Sequence, residues 1–470
     1  MILLLLFLSY IVGIFFILVI KNQSTQKQIA LGAAGIALLV STDLFANYKP
    51  YYTNNYRFTE LISFFESSSL FSYSFGLDGL SISFLFLSCL LIFLCILFIW
   101  DEVKFKDYSI NLLLIGLLLA LIFTIEDLLL FYVCFEAILI PMFLIIGVWG
   151  SRERKVRAVY MFFFYTLCGS LVTLAGILYI YYYKGSLHFE YLREVPFTFY
   201  EQVFLCAAFF FSFASKIPMY PLHIWLPEAH VEAPTVGSVL LAGILLKLGV
   251  YGFIRYNLFV FTIGTQFWHP LIYTLGAIGV LRASFSAIRQ TDVKRIIAYS
   301  SIAHMNLVTI GIFCTSYIGL QGAIFQSMSH GFVSGGMFLL IGILYSRYHT
   351  RILHYYGGLV HFMPIFSSFF LIFTMANIAL PGTSSFVGEF LLLLATFQLQ
   401  VEAAVIVSLG VIIAGAYSLW LYNRVIFGNI KVNYTKIFAD VTLKEFVIMF
   451  SLLIFVILFG ISPNILLEKI

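Results

Sequence analysis

Charge is scarce in this chain. Only 10% of its 470 residues are Asp, Glu, Lys or Arg, against about 25% in a soluble domain. Apolar residues make up 62%, and mean hydropathy is +1.02. That balance excludes a globule with one anchor and implies a membrane protein with many spans. The net charge of +4 is small and dispersed, which argues against a nucleic-acid partner. Cysteine is sparse too. Cys89, Cys95, Cys134, Cys168, Cys206 and Cys314 all lie in apolar stretches, and none forms a Cys-x-x-Cys pair. A disulfide framework, an iron–sulfur cluster and a zinc site are therefore unsupported. The longest polar loop, about Tyr48 to Phe75, has no Gly-rich phosphate fingerprint, so a dinucleotide finds no seat in it. The start, MILLLLFLSY, lacks a basic leader and reads as a first span rather than a signal peptide.

A span needs roughly 20 apolar residues. Fourteen are expected: 1–20, 28–47, 77–100, 109–125, 128–149, 158–183, 202–227, 236–255, 268–287, 296–314, 318–346, 362–398, 403–427 and 446–462. Loop charges orient them. With the N-terminus outside, one face collects Lys21, Lys27, Lys104, Lys106, Arg152, Arg154, Lys155, Arg157, Arg289, Lys294, Arg295, Arg347, Arg351, Lys431, Lys436 and Lys444. The other face has only Lys49, Arg57, Lys184, Arg193, Arg255 and Lys469. This asymmetry follows the positive-inside rule and supports the alternation of spans.

Within that apolar background three charges stand alone. Leu128 to Gly150 contains only Glu136, Gln202 to Pro227 only Lys216, and Val236 to Ile254 only Lys247. Each lies within about three residues of its span centre, under ~5 Å at 1.5 Å per residue. A mid-membrane charge costs about 2.5–3.5 kcal/mol on insertion scales and commonly marks an ion or proton path. Two spans are also interrupted by proline. One reads FASKIPMYPLHIWLPEAHVEAPT, with Pro218, Pro221 and Pro227; the other reads ANIALPGTSSFVGEF, with Pro381-Gly382. Such breaks survive in lipid only where protein or water covers the freed carbonyls, so both are candidates for a hydrated interior. Each has a lone charge nearby, Lys216 and Glu389. They lie five spans apart, the spacing of an inverted five-helix repeat.

At these residues a family resemblance is visible. FYVCFEAILIPMFLIIGVWG, KIPMYPLHIWLPEAHVEAPTVGSVLLAGILLKLGVYGFIR and RIIAYSSIAHMNLVTIGIF closely resemble the subunit-4 family of respiratory NADH:ubiquinone oxidoreductase, complex I. SHGFVSGGMFLLIGILYSRYHTR, LPGTSSFVGEFLLL and GAYSLWLYNRVIFGN extend the likeness, which runs from about Gly76 to Gly428. These antiporter-like subunits are related to Mrp-type sodium/proton antiporters. The resemblance implies an all-α fold of about fourteen helices, with two inverted repeats (helices 4–8 and 9–13) and broken helices 7 and 12. It divides the chain into 1–108, 109–256, 257–427 and 428–470. It also implies roles. Glu136 is the helix-five glutamate, Lys216 its helix-seven ion-pair partner and Lys247 the central lysine of helix eight. His304 and His330 continue a hydrated line, and Glu389 ends it on helix twelve, where sister subunits carry lysine. The implied function is proton translocation driven by quinone reduction in partner subunits. NADH, FMN, iron–sulfur clusters and ubiquinone then belong to the whole complex, and none is bound by this chain. Expected partners are the other membrane-arm subunits, sister antiporter-like subunits among them, and membrane lipid such as cardiolipin. The expected location is the mitochondrial inner membrane, with a bacterial plasma membrane or a thylakoid membrane as alternatives.

Blander readings stand beside these. A buried Glu–Lys pair can be purely structural, and a lone histidine on an apolar helix is often a satisfied packing residue. His223, Glu228, His230 and Glu232 suggest a metal site, but their spacing fits no zinc pattern; they read as interface polar groups. Glu126 and Asp127 read as caps of helix five. An Mrp-type cation/proton antiporter subunit and a passive scaffold remain competing functions.

Overall fold

The computed structural model describes residues 2–49, 58–63, 72–431 and 439–470. Arg57 and Lys436, used above for orientation, lie outside them, as does part of the 48–75 loop. The helices run α1 (Ile2–Val19), α2 (Gln23–Asn47), α3 (Gly79–Phe98), α4 (Phe105–Thr124), α5 (Leu128–Trp149) and α6 (Lys155–Lys184). Then come α7 in two halves (Phe199–Lys216 and Trp225–Glu232), α8 (Thr235–Leu258), α9 (Thr262–Ile288), α10 (Val293–Phe313) and α11 (Tyr317–Tyr348). The last are α12 in two halves (Pro364–Asn377 and Ser384–Leu399), α13 (Val401–Ile426) and α14 (Leu443–Ile461). Twelve helices among the described residues are long and apolar enough to cross a membrane. The expected figure of fourteen requires counting each interrupted helix, α7 and α12, as one crossing. One short antiparallel ribbon, β1 (Phe58–Ser63) with β2 (Ser72–Leu77), pairs Phe58 with Leu77 where the sequence suggested only loop.

Local chemistry sets the helix starts. Asp78, Asp127, Asp292 and Ser316 accept backbone N–H groups at the starts of α3, α5, α10 and α11. Thr198 with Glu201, and Thr442 with Glu445, form capping boxes at α7 and α14. Each satisfies donors that the first helical turn leaves free.

Packing then ranks the helices. The most apolar 18-residue stretches of α8 and α11 are wholly buried within the chain and that of α10 is 94% buried, whereas those of α1, α2, α6 and α14 are only 33% buried. The three central helices carry Lys247, His330 and His304. Close approach there depends on small residues: a Cβ at Gly322 would press on the α12 backbone, and one at Gly342 would strike Thr235.

The break in α7 is stitched by side chains. Trp225 Nε1 donates to the Ser215 carbonyl at 2.8 Å, and Asn306 Nδ2 reaches the Pro218 carbonyl at 3.4 Å. These serve carbonyls that the interrupted helix leaves without a backbone donor. Trp225→Phe keeps the ring and drops the donor. It is expected to cost about 1–3 kcal/mol, the penalty for a buried unsatisfied acceptor, seen as a lower thermal midpoint of the detergent-solubilised protein. An unchanged midpoint would mean that another donor serves Ser215.

Candidate functional site

The site is built from four helices, the three central ones and α12. Lys247, in α8, is 0% exposed. Its helix widens into π-helical turns on either side, at Leu241–Leu245 and Phe253–Leu258. Such turns disturb the regular hydrogen-bond ladder. Here the Ala242 carbonyl accepts Lys247 Nζ at 2.5 Å. The same Nζ meets Nδ1 of His330, on α11, at 2.8 Å. A lysine ammonium donates there, which puts the imidazole proton of a neutral His330 on Nε2. A neutral lysine would instead accept from Nδ1–H. The contact therefore suits two states that differ by one proton.

His304, on α10, completes a line toward α12. Its ring centroid lies 5.9 Å from that of His330. Nδ1 meets Glu389 Oε1 at 2.8 Å, and Gln326 Nε2 donates to the same oxygen at 3.2 Å. Nε2 of His304 and Nε2 of His330 are both buried without a protein partner. Lys247, His330, His304 and Glu389 thus form one buried polar line across α8, α11, α10 and α12.

A second group lies apart from that line. Lys216, at the end of the first half of α7, is 4% exposed. Its Nζ donates to the Phe135 carbonyl at 2.6 Å and sits 3.2 Å from the Phe135 ring centroid. Glu136 is the next residue. Its carboxylate lies within electrostatic reach of Lys216 and Ser170 but hydrogen-bonds neither. The expected Glu136–Lys216 ion pair is therefore open in this structure, because the lysine has taken a backbone carbonyl instead. No direct hydrogen bond joins this group to the line beginning at Lys247.

Comparison with known proteins places this geometry. Residues 126–414 match the family described as NADH:quinone oxidoreductase/Mrp antiporter, transmembrane. The span contains all six of these residues. The chain belongs to this family. Relatives named NADH-ubiquinone oxidoreductase chain 4 are similar along nearly the whole length. That of Chondrus crispus is 47% identical, covering 98% of this chain and 94% of the relative. That of Acanthamoeba castellanii is 50% identical, covering 84% and 80%. Among solved structures, a chain of respiratory complex I from Thermus thermophilus with bound NADH superposes with a TM-score of 0.90 at 29% identity, covering 100% of this chain and 97% of that one. A chain of an archaeal membrane-bound sulfane sulfur reductase shares the fold, with a TM-score of 0.88 at 22% identity, covering 99% and 77%.

Several expectations need correction within this family frame. The α12 interruption, expected to face a hydrated interior, lies at the surface of the chain. Leu380 is 48% exposed, and Pro381 and Gly382 are also exposed at the chain surface, while α14 packs Gly460 against the Gly382 carbonyl. His304, not the interruption, contacts Glu389. The group His223, Glu228, His230 and Glu232 is not a set of interface polar residues. His230 and Glu232 are buried, Glu228 pairs with Arg295 at 2.6 Å, and His223 stacks on Tyr220. Asp127 caps α5, accepting from Leu130 N at 2.9 Å. Glu126 does not; it bonds His188. Lys294 and Arg351, counted as loop charges, are only 3% and 1% exposed. The sequence held a signal for Lys294: Asp292 is a strong N-cap residue, which puts Lys294 inside the first helical turn.

The Glu126 contact gives a pH test outside the spans. His188 Nε2 meets Glu126 Oε2 at 3.1 Å and Ser74 Oγ at 2.7 Å. The Glu126 hydrogen bond, aided by its charge, holds His188 above its usual pKa despite partial burial. A raised folded pKa stabilises fully below the unfolded value of about 6.5, and the contribution fades as pH climbs through the folded one. The stability gap between wild type and His188→Gln should therefore narrow as pH rises through that range. A gap that widens overturns the pairing.

Proposed function

We propose that this chain is the chain-4 antiporter-like subunit of a respiratory NADH:ubiquinone oxidoreductase, and that it carries protons along Lys247, His330, His304 and Glu389. The buried continuity of that line, across four helices with no charge to spare, carries the reading. A water between the two free Nε2 atoms completes it, since a bridging water hydrogen-bonds nearly as well as a direct contact. Each transfer needs only a rotation of one group and one N–H or O–H exchange. Glu389 is the acid at the far end.

Glu136 and Lys216 control loading of the line. With the pair closed, the Lys216 charge is neutralised. With it open, an uncompensated cation stands near the middle of the membrane, where low dielectric strengthens its repulsion of a proton on Lys247. A proton driven against the membrane potential requires about 2.3 kcal/mol per 100 mV, a scale that opening one buried ion pair can match. The domain limits 109–256 and 257–427 belong to this reading, since α7 and α12 are interrupted at corresponding places in the two proposed repeats. NADH, FMN, iron–sulfur clusters and ubiquinone act in partner subunits. We place the complex in the mitochondrial inner membrane, with cardiolipin among its lipid contacts.

Purification through a tag on this chain in mild detergent tests the assembly. Flavin and iron–sulfur subunits should co-purify with NADH:quinone activity. Recovery with cation-antiporter subunits alone would replace this reading by the Mrp-type one.

A further inference from the structure

The proton line begins at Lys247 and shows no path from the face that collects the basic loops. A second buried cation lies between the two. Lys294, in the first turn of α10, lines a cavity of about 330 Å³. Trp149, Ser151, Thr235, Tyr345 and Arg351 also line it, all at helix ends on the basic-loop face, and Ser151 is exposed. Lys294 Nζ donates to the Ala233 carbonyl at 2.9 Å and to Ser238 Oγ at 3.3 Å. An ammonium has three donors, so one is left for the cavity. The nearby acids Asp292 and Glu232 are turned toward Arg351, at 3.8 and 4.0 Å.

His230 lies beyond Ser238. Ser238 Oγ donates to the His230 carbonyl at 3.0 Å. The ring is wholly buried and stacks on Phe338, 4.7 Å between centroids and 4° from parallel. Both ring nitrogens lack a protein partner. The charges of Lys294 and Lys247 both act on it. Lys247 reaches the same way, since its Nζ bonds a carbonyl five residues nearer the basic-loop face, about 7.5 Å along the helix. Packing alone does not account for this histidine. A phenylalanine would stack as well without burying two unsatisfied polar atoms.

We propose that Lys294 and His230 form the proton inlet from the basic-loop cavity to Lys247; this rests on the reading that Lys247 begins the line. Through a bridging water, the Lys294 ammonium loses one N–H bond as one ring nitrogen of His230 gains one. The other ring nitrogen then gives its proton, again through water, to the neutral amine of Lys247, and the ring returns to neutrality; each water loses one proton as it gains another. Cavity water supplies a proton to Lys294. One proton crosses each step, and no other bond changes.

The test uses the intact complex in proteoliposomes, with Lys294→Arg, Lys294→Met and His230→Phe beside Lys247→Met. Arginine keeps the charge and the donors but does not release its proton; phenylalanine keeps the stack. Each inlet variant should reduce proton flux on the order of 100-fold, the scale for losing a positioned proton-transfer group, with Arg as severe as Met. If Lys247→Met stops pumping while Lys294→Arg and His230→Phe pump normally, the inlet alone is overturned. If Lys247→Met also pumps normally, the parent reading falls with it. Failure of all three inlet variants to assemble overturns the proposal as well, because a relay role predicts that the conservative replacements fold.

Discussion

Lys247→Ala in the assembled complex is expected to lower proton flux through this subunit on the order of 100-fold. The lysine is 0% exposed and holds both the Ala242 carbonyl and His330 Nδ1. On the proposed line, its loss removes the group that hands protons to His330. Alanine also leaves a cavity, which for a long side chain costs about 2–5 kcal/mol. Lys247→Met separates the two effects, because it fills the volume and carries no proton. Both variants should fail in dye-quench pumping assays, while Met retains more of the thermal stability. Normal pumping stoichiometry in an assembled Lys247→Met complex would remove this residue from the path.

The second large effect lies at the Glu136–Lys216 pair, proposed above to control loading. Glu136→Gln is expected to impair coupled turnover at least about tenfold, and more than Glu136→Asp, because aspartate keeps a titratable charge within reach of Lys216. A structural role predicts the reverse order, since glutamine preserves length and hydrogen bonding. The open geometry sharpens the test. Lys216 already has the Phe135 carbonyl at 2.6 Å, so losing the Glu136 carboxylate leaves the lysine seated and removes only its option to close the pair. Coupled NADH oxidation and proton uptake in the same vesicles distinguish the two orders.

Much of this was legible from the chain. Apolar length and the cost of a lone charge are local properties, so Glu136, Lys216 and Lys247 could be singled out as costly mid-span charges from sequence alone. Proline marked both interrupted helices for the same reason, because a missing N–H breaks the ladder wherever it falls. Other features were hidden. Lys294, counted as a loop charge, lies inside α10, and Arg351 does lie in the loop after α11; the burial of both was hidden, since periodicity does not say whether a helix end or its loop is covered by neighbours. His230 looked like one of four interface polar groups. Its burial follows from the second half of α7 folding under α10 and stacking on Phe338 of α11. The exposed bend at Pro381 and Gly382 was misjudged in the opposite sense.

By itself, then, the sequence set the expected membrane depth, the expected orientation and which residues bear an unusual electrostatic cost. Tertiary packing alone decided their partners. It gave Lys247 to His330, His304 to Glu389 and, in this structure, Lys216 to a backbone carbonyl rather than to Glu136. The physical reason is that hydropathy sets how far along its axis a residue sits, whereas the rotation of each helix about that axis is set by contacts such as Gly322 against α12 and Gly342 against Thr235. A proton follows atoms within hydrogen-bonding distance, and those distances exist only once the helices have packed.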